Sequence, residues 1–119
     1  MRNNQSLHWE LLQNDDNITP RLIGELSRDT LLPLWLQRAS FLSQQKLAKQ
    51  NIVWDLTEIT RIDSAGFALL CDLIHDCQQL QGTENRLQIK NPPIQLMTLA
   101  DLFGLSDWIN PLVQSNGKN

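Results

Sequence analysis

The sequence predicts an α/β domain on a small mixed β-sheet of about four strands, and three observations point there. Short bulky runs suited to strands alternate with longer runs of helical period. Clusters of turn formers, NDDN after the first run and PP after the last strand-like run, punctuate the joints. The 119 residues, 41% hydrophobic and 19% charged, match one globular domain whose core needs neither disulfide nor metal. A single domain over residues 1–119 is expected, with a polar, fraying tail over about 112–119.

Leu7 to Leu12 (LHWELL) and Ile18 to Ile23 (ITPRLI) read as two adjacent strands. Pro20 weakens the second, because a residue without an N–H is tolerated near a strand start or on an edge. After Gly24 the period becomes helical, with Leu31, Leu34, Trp35, Phe41 and Leu42 recurring, Asp29 or Ser27 placed to cap, and Pro33 near the first turn. The dense run Leu31-Leu32-Pro33-Leu34-Trp35 is expected to bury against the sheet. Ile52 to Leu56 (IVWDL) is nearly continuously apolar, as a central strand covered by helices would be, with Trp54 in the core. Ser64 to Gln81 forms a second helix stopped by Gly82, and Arg86 to Asn91 alternates as a strand. Ile94 to Phe103 forms a third helix ending at Gly104, with a small apolar tail around Trp108 and Ile109. Trp35 and Trp108 suit either a core or a partner-facing anchor.

Several function classes fall away. The net charge is -3 and the ten Lys and Arg residues form no run, which removes the footprint of a nucleic-acid binder. No secretory h-region follows Met1 and no apolar run approaches the ~18 residues of a membrane span, so a soluble cytoplasmic chain is expected. Cys71 and Cys77 fall on different turns of one helix and are expected to be reduced core thiols. They crowd with His75, Asp72 and Asp76, yet a step of about 100° per residue points Cys77 away from His75 and leaves too few ligands for zinc. Ser64 and His75 stand about three turns apart, beyond nucleophile-to-base reach. No GxxxxGK[ST] loop is present. Neither catalysis, cofactor nor metal is expected.

The stretch that asks for explanation is RIDSAG, joining the central strand to the second helix. In open α/β sheets the useful surface lies at the carboxyl ends of strands, where loops lead into helix N-termini with free N–H groups. Asp63 or Ser64 can cap the helix, while Ala65 and Gly66 let another surface approach closely. A plain N-cap would use the same residues. The helix itself adds a second sign. Phe67, Leu70, Cys71, Leu73, Ile74 and Cys77 share an apolar face, and Ala68, Asp72, His75 and Gln79 lie opposite. That outer strip continues from Ser64 and suits a modest protein contact or plain solvent.

An apolar strand, a mostly polar excursion and then DSAGFALL resembles the signature of the STAS domain family, the sulfate-transporter and anti-sigma-factor-antagonist family. GELSRDTLLPLW, DLTEITRIDSAGFALLCDLI and MTLADLFGLSDWI are similar to the branch serving the Mla phospholipid ABC transporter of Gram-negative bacteria. The likeness runs from about Leu7 to Pro111 and is weakest over Lys46 to Gln50 and after Pro111. It implies a STAS fold with helices mainly on one face of the sheet and no catalysis. It also implies a cytoplasmic subunit, peripheral to the inner membrane through its complex, that docks on the transporter's ATPase (MlaF-like). That docking would support assembly and activity in outer-membrane lipid asymmetry, and would reach the permease and lipid-binding subunits only indirectly. Carried over to matching positions, the contact centres on Asp63, Ser64, Ala65 and Gly66, with Ser64 where this branch places an important hydroxyl. Ser27, Arg28 and Asp29, at the start of the first helix, are implied to lie beside it. The alternative within the family is a phospho-regulated anti-sigma factor antagonist, whose phosphoacceptor belongs to the same motif. Ala65 cannot accept a phosphate, whereas Ser64 could.

Overall fold

The computed structural model describes residues 6–14, 16–38, 50–82 and 85–113. In order they form β1 (Leu7–Gln13), β2 (Asn17–Leu26), α1 (Leu32–Leu36), β3 (Asn51–Ile62), α2 (Ser64–Leu80), β4 (Leu87–Lys90), α3 (Ile94–Leu102) and α4 (Ser106–Ile109), then a 3-10 turn at Asn110–Leu112. The four-stranded sheet has the order β1-β2-β3-β4. β1 runs antiparallel to β2, while β2, β3 and β4 are parallel, so the sheet is mixed as expected.

Alternation along the strands separates two faces. Ile18, Leu22 and Leu26 of β2, Ile52, Trp54 and Leu56 of β3, and Leu87 and Ile89 of β4 are buried. α2 covers them with Phe67, Leu69, Leu70, Leu73, Ile74 and Cys77, α3 adds Leu96 and Ala100, and α4 adds Ile109. Each fully buried Leu or Ile stabilises the fold by about 1.5–3 kcal/mol relative to exposure. The other face carries Glu10, Arg21, Asp55 and Lys90 in one registered row across the four strands, with signs alternating. Arg21 lies 3.6 Å from Glu10, 3.9 Å from Asp55, and pairs with Glu58. Partial burial alone would raise the Asp55 carboxyl, but the hydroxyl and N–H of Thr57 together with Lys90 and Arg21 outweigh it and hold it below its ordinary range.

Four expectations need correction. Gly24 does not end β2. At φ +100 it stands at a register shift in the pairing with β3 and close beside the Ser6 carbonyl, which accepts from the Glu25 N–H at 2.9 Å, and the strand continues to Leu26. Pro20 sits inside an interior strand, not at an edge; it is registered with Leu11 of β1, while the β3 partners pass from Ile18↔Ile52 to Arg21↔Asp55 with Pro20 between them, so on the β3 side it stands outside the registered pairs. The first helix starts later than its period suggests. A turn occupies residues 27–31, Leu31 is the N-cap without a side-chain bond, and neither Ser27 nor Asp29 caps α1, although Pro33 does fall in its first turn. Of the Leu31 to Trp35 run, Leu34 is fully buried while Leu32 and Trp35, like the following Leu36, are exposed, because a five-residue helix turns one side to the core. Arg38 instead lies over the Trp35 ring, 3.8 Å from its centroid. Phe41, Leu42 and the segment from Lys46 to Lys49 fall outside the described residues.

The later boundaries divide similarly. β3 extends through the polar TEITRI to Ile62, with Ile59 and Ile62 buried. α2 stops because Gln81 turns extended at ψ 148, not through Gly82, and the Gln81 amide donates to the carbonyls of Gln50 and Arg86 at 3.2 and 2.8 Å. α3 ends as predicted. Gly104 at φ +72 donates to the Asp101 carbonyl at 3.1 Å and Leu105 donates to that of Ala100 at 2.7 Å, which satisfies the last carbonyls of the helix. Leu112 and Val113 do not belong to a loose tail, since Val113 bridges to Ile89 beside β4.

A close backbone contact lies where α2 meets β2. A Cβ on Gly66 would stand 2.0 Å from the Leu26 carbonyl oxygen, which is backbone and cannot swing aside. Gly66→Ala is therefore expected to destabilise the domain by about 2–4 kcal/mol in urea unfolding, against a change within about 0.5 kcal/mol for Ser64→Ala one turn-edge away.

Candidate functional site

The site is built from two chain segments that converge at the carboxyl end of the sheet. β3 ends at Ile62, and Asp63 at φ -110 is the N-cap of α2. Its Oδ1 accepts from the Gly66 N–H at 2.9 Å and its Oδ2 accepts from the Arg28 N–H at 3.1 Å. The Asp63 N–H in turn donates to the Leu26 carbonyl at 3.3 Å. Asp63 is thus the capping residue, which leaves the Ser64 side chain exposed to solvent. Ala65 is half-buried, and Gly66 is buried beneath the backbone of this chain's own Leu26. The close approach that a glycine permits is taken up internally, so the outward-facing part of the motif is Ser64 with the edge of Ala65.

The segment from Ser27 to Leu31 sits beside that entrance, held by a network that sequence reasoning missed. Ser27 is buried rather than presented; its hydroxyl donates to the Glu25 carboxylate at 2.6 Å and accepts from the Asp29 N–H at 3.2 Å. Thr30 accepts from the Ser27 N–H at 3.0 Å and donates its hydroxyl to the Glu25 carbonyl at 2.7 Å. Arg61 of β3 lies 3.6 Å from the Glu25 carboxylate. A buried carboxylate is stable only when bonded and paired in this way. Its signal in the sequence is an acid at the end of an apolar strand followed at short range by two hydroxyls, ELSRDT. Arg28 and Asp29 are exposed at the tip of the turn, next to Asp63.

Along α2 the predicted outer strip is present, with Ala68, Asp72, His75 and Gln79 all exposed and Asp76 beside them. A second feature was not foreseen. On α3, Ile94 and Leu102 are 82% and 72% exposed, and Phe103, 52% exposed, stacks on Phe67 with ring centroids 6.0 Å apart. A groove of about 490 Å³ opens there, lined by Ile62, Ile94, Gln95, Thr98 and Leu99. The sequence signal was available. IQLMTLADLF is apolar on more sides than one core-facing stripe requires. Trp108 is half-buried and donates to Gln78 at 3.1 Å, a structural contact with α2.

The chemistry offered is recognition. Burial first, and then Asp72, pushes the Cys71 thiol up to about 11; burial and Asp76 push Cys77 to about 12 despite its bond to Trp54. Neither is a nucleophile near neutral pH. Among the described residues no group of His, Cys, Asp or Glu is gathered as for a metal ion, and no helix is long and apolar enough to cross a membrane.

Comparison with known proteins fits this arrangement. A family model described as "Mlab, STAS domain" matches residues 11–114. The chain belongs to the STAS domain family. A curated relative from Haemophilus influenzae, named intermembrane phospholipid transport system binding protein MlaB, is 55% identical over 103 residues, 87% of this chain and 95% of that protein. The protein of the same name from Escherichia coli is 38% identical over 101 residues, 85% of this chain and 91% of its own. Among solved structures, phosphorylated SpoIIAA from Bacillus superposes with a TM-score of 0.62 at 16% identity over 93% of each chain. An anti-sigma factor antagonist from Mycobacterium paratuberculosis gives 0.64 at 13% identity, covering 98% of this chain and 92% of that one. These structures show the STAS fold. The chain is a non-catalytic member of the family, on its MlaB branch.

Two measurements probe the site. Partial burial would raise the Asp63 carboxyl, but the N–H groups of Gly66 and Arg28, with the field of Arg61, hold it below the ordinary 3.8. A lowered folded pKa means stability that is fully present above the unfolded value and lost as pH falls through the folded one. Asp63→Ala is expected to lose about 1–2 kcal/mol at neutral pH, with the gap to wild type narrowing below about pH 4 in urea titrations. For the thiols, iodoacetamide at mildly alkaline pH should label Cys71 and Cys77 slowly in the folded protein and rapidly in denaturant, read by intact mass.

Proposed function

We propose that this protein is the STAS subunit that docks on the ATPase (MlaF-like) of a phospholipid ABC transporter, supporting assembly and activity of the complex. On this reading it is peripheral to the inner membrane through that complex, on the cytoplasmic side. The observation that carries the reading is Ser64. It stands exposed at the start of α2 with its backbone fixed by Asp63, beside Arg28 and Asp29, in a chain similar over most of its length to intermembrane phospholipid transport system binding proteins. An exposed hydroxyl among pre-ordered N–H groups gives a partner a fixed polar reference point without a folding cost on binding. The exposed Asp72, His75 and Gln79 extend the same surface.

Because Ser64 is not the cap, a bulky charge there disturbs the surface alone. Ser64→Arg is expected to abolish co-purification of a Walker-type ATPase and its permease with tagged protein, while monomer stability changes by no more than about 0.5 kcal/mol. Retained ATPase recovery, or outright unfolding of the variant, would sink the reading.

A further inference from the structure

The Ser64 end of α2 is flanked by an apolar surface that the described residues leave uncovered. Ile94, Thr98, Asp101 and Leu102 lie along one side of α3 and all are exposed. Ile62 at the end of β3 and Leu99 line the adjoining groove, and Phe103, just after α3, stacks on Phe67 in the first turn of α2. An apolar groove adjoining a polar helix entrance marks a protein contact more readily than free solvent.

Charge narrows the partner. α2, α3 and α4 carry Asp72, Asp76, Asp101 and Asp107, all exposed, and not one Lys or Arg. An acidic surface around an apolar groove disfavours anionic headgroups and nucleic acid. It favours a segment whose apolar side chains are flanked by basic ones. We propose that the groove receives an amphipathic, basic segment of the ATPase subunit, with apolar side chains set among Ile62, Ile94, Thr98 and Leu99 and Lys or Arg facing Asp101 and the acidic row of α2. This rests on the docking reading above and adds an apolar half to a contact whose polar half is Ser64.

The test uses the full chain and the purified ATPase subunit. The double variant Ile94→Glu/Leu102→Glu, at positions too exposed to be needed for folding, is expected to bind at least about tenfold more weakly with an unchanged melting temperature. Asp101→Lys is expected to slow association and flatten its salt dependence. A photo-reactive residue at Thr98 should cross-link to an ATPase peptide bearing Lys or Arg within a turn of an apolar residue. If Ser64→Arg blocks binding while both surface variants bind at wild-type strength, the groove proposal is overturned and the docking reading stands. If the wild-type chain does not bind the ATPase, both fall. Loss of a self-association in the double variant, with ATPase binding intact, would assign the groove to a second copy and overturn the proposal, as would a cross-link to an acidic peptide.

Discussion

The architecture turns on a backbone contact between the end of β2 and the start of α2. The Leu26 carbonyl lies so close to Gly66 that no side chain fits between them, and the same carbonyl accepts from the Asp63 N–H. Two neighbouring parallel strands, β2 and β3, deliver their carboxyl ends to one point, and the helix following β3 begins in contact with the strand beside it. Asp63 then divides its two oxygens between its own helix and the turn after β2. The cap and the loop clamp are one carboxylate, so neither segment can shift without the other.

That coupling explains why a hydroxyl next to a cap can serve recognition. A free serine on a fraying helix end would have to be ordered by its partner, at a cost of about 1–2 kcal/mol per residue of backbone. Here the order is supplied in advance from both sides. The Gly66 and Arg28 N–H groups are tied down, and the Ser27 turn is anchored below by Glu25, Thr30 and Arg61. The buried carboxylate of Glu25 does for the turn what Asp63 does for the helix. The hydroxyl of Ser27 is consumed in that work, which is why one serine of the pair faces inward and the other outward.

Much of this was legible in the residues. Period and punctuation placed the four strands, the second and third helices and the junction at RIDSAG, because those signals are local: alternation, caps, and a glycine at φ +72 ending α3. What could not be read were the places where neighbours in space overrule neighbours in sequence. Gly24 reads as a stop, yet it sits at a shift in the ladder with β3, close against the Ser6 carbonyl, and β2 runs on to Leu26. The same extension takes Ser27 out of the predicted helix start and into a buried network. Gly66 reads as a landing spot for another surface because a glycine announces close approach without saying whose. The run around Trp35 is dense enough for a core, and only the shortness of α1 shows that most of it faces outward.

The distribution of charge separates the two sides of the molecule. On the open face of the sheet, Glu10, Arg21, Asp55 and Lys90 alternate across the strands and neutralise one another at short range. A row of this kind contributes to holding strands in register and leaves little field beyond a Debye length of about 8–10 Å. Among the described residues, α2, α3 and α4 have no such compensation, since their exposed carboxylates have no Lys or Arg on the same helices. At the junction, Arg28 and Arg61 stand on the turn side, and Arg61 is already engaged with Glu25. Uncompensated charge acts at range and sets the sign of the partner and the speed of encounter, whereas a fixed polar point and an apolar groove act only at contact and set the geometry of the complex. The same helices that seal the core therefore carry both kinds of information outward.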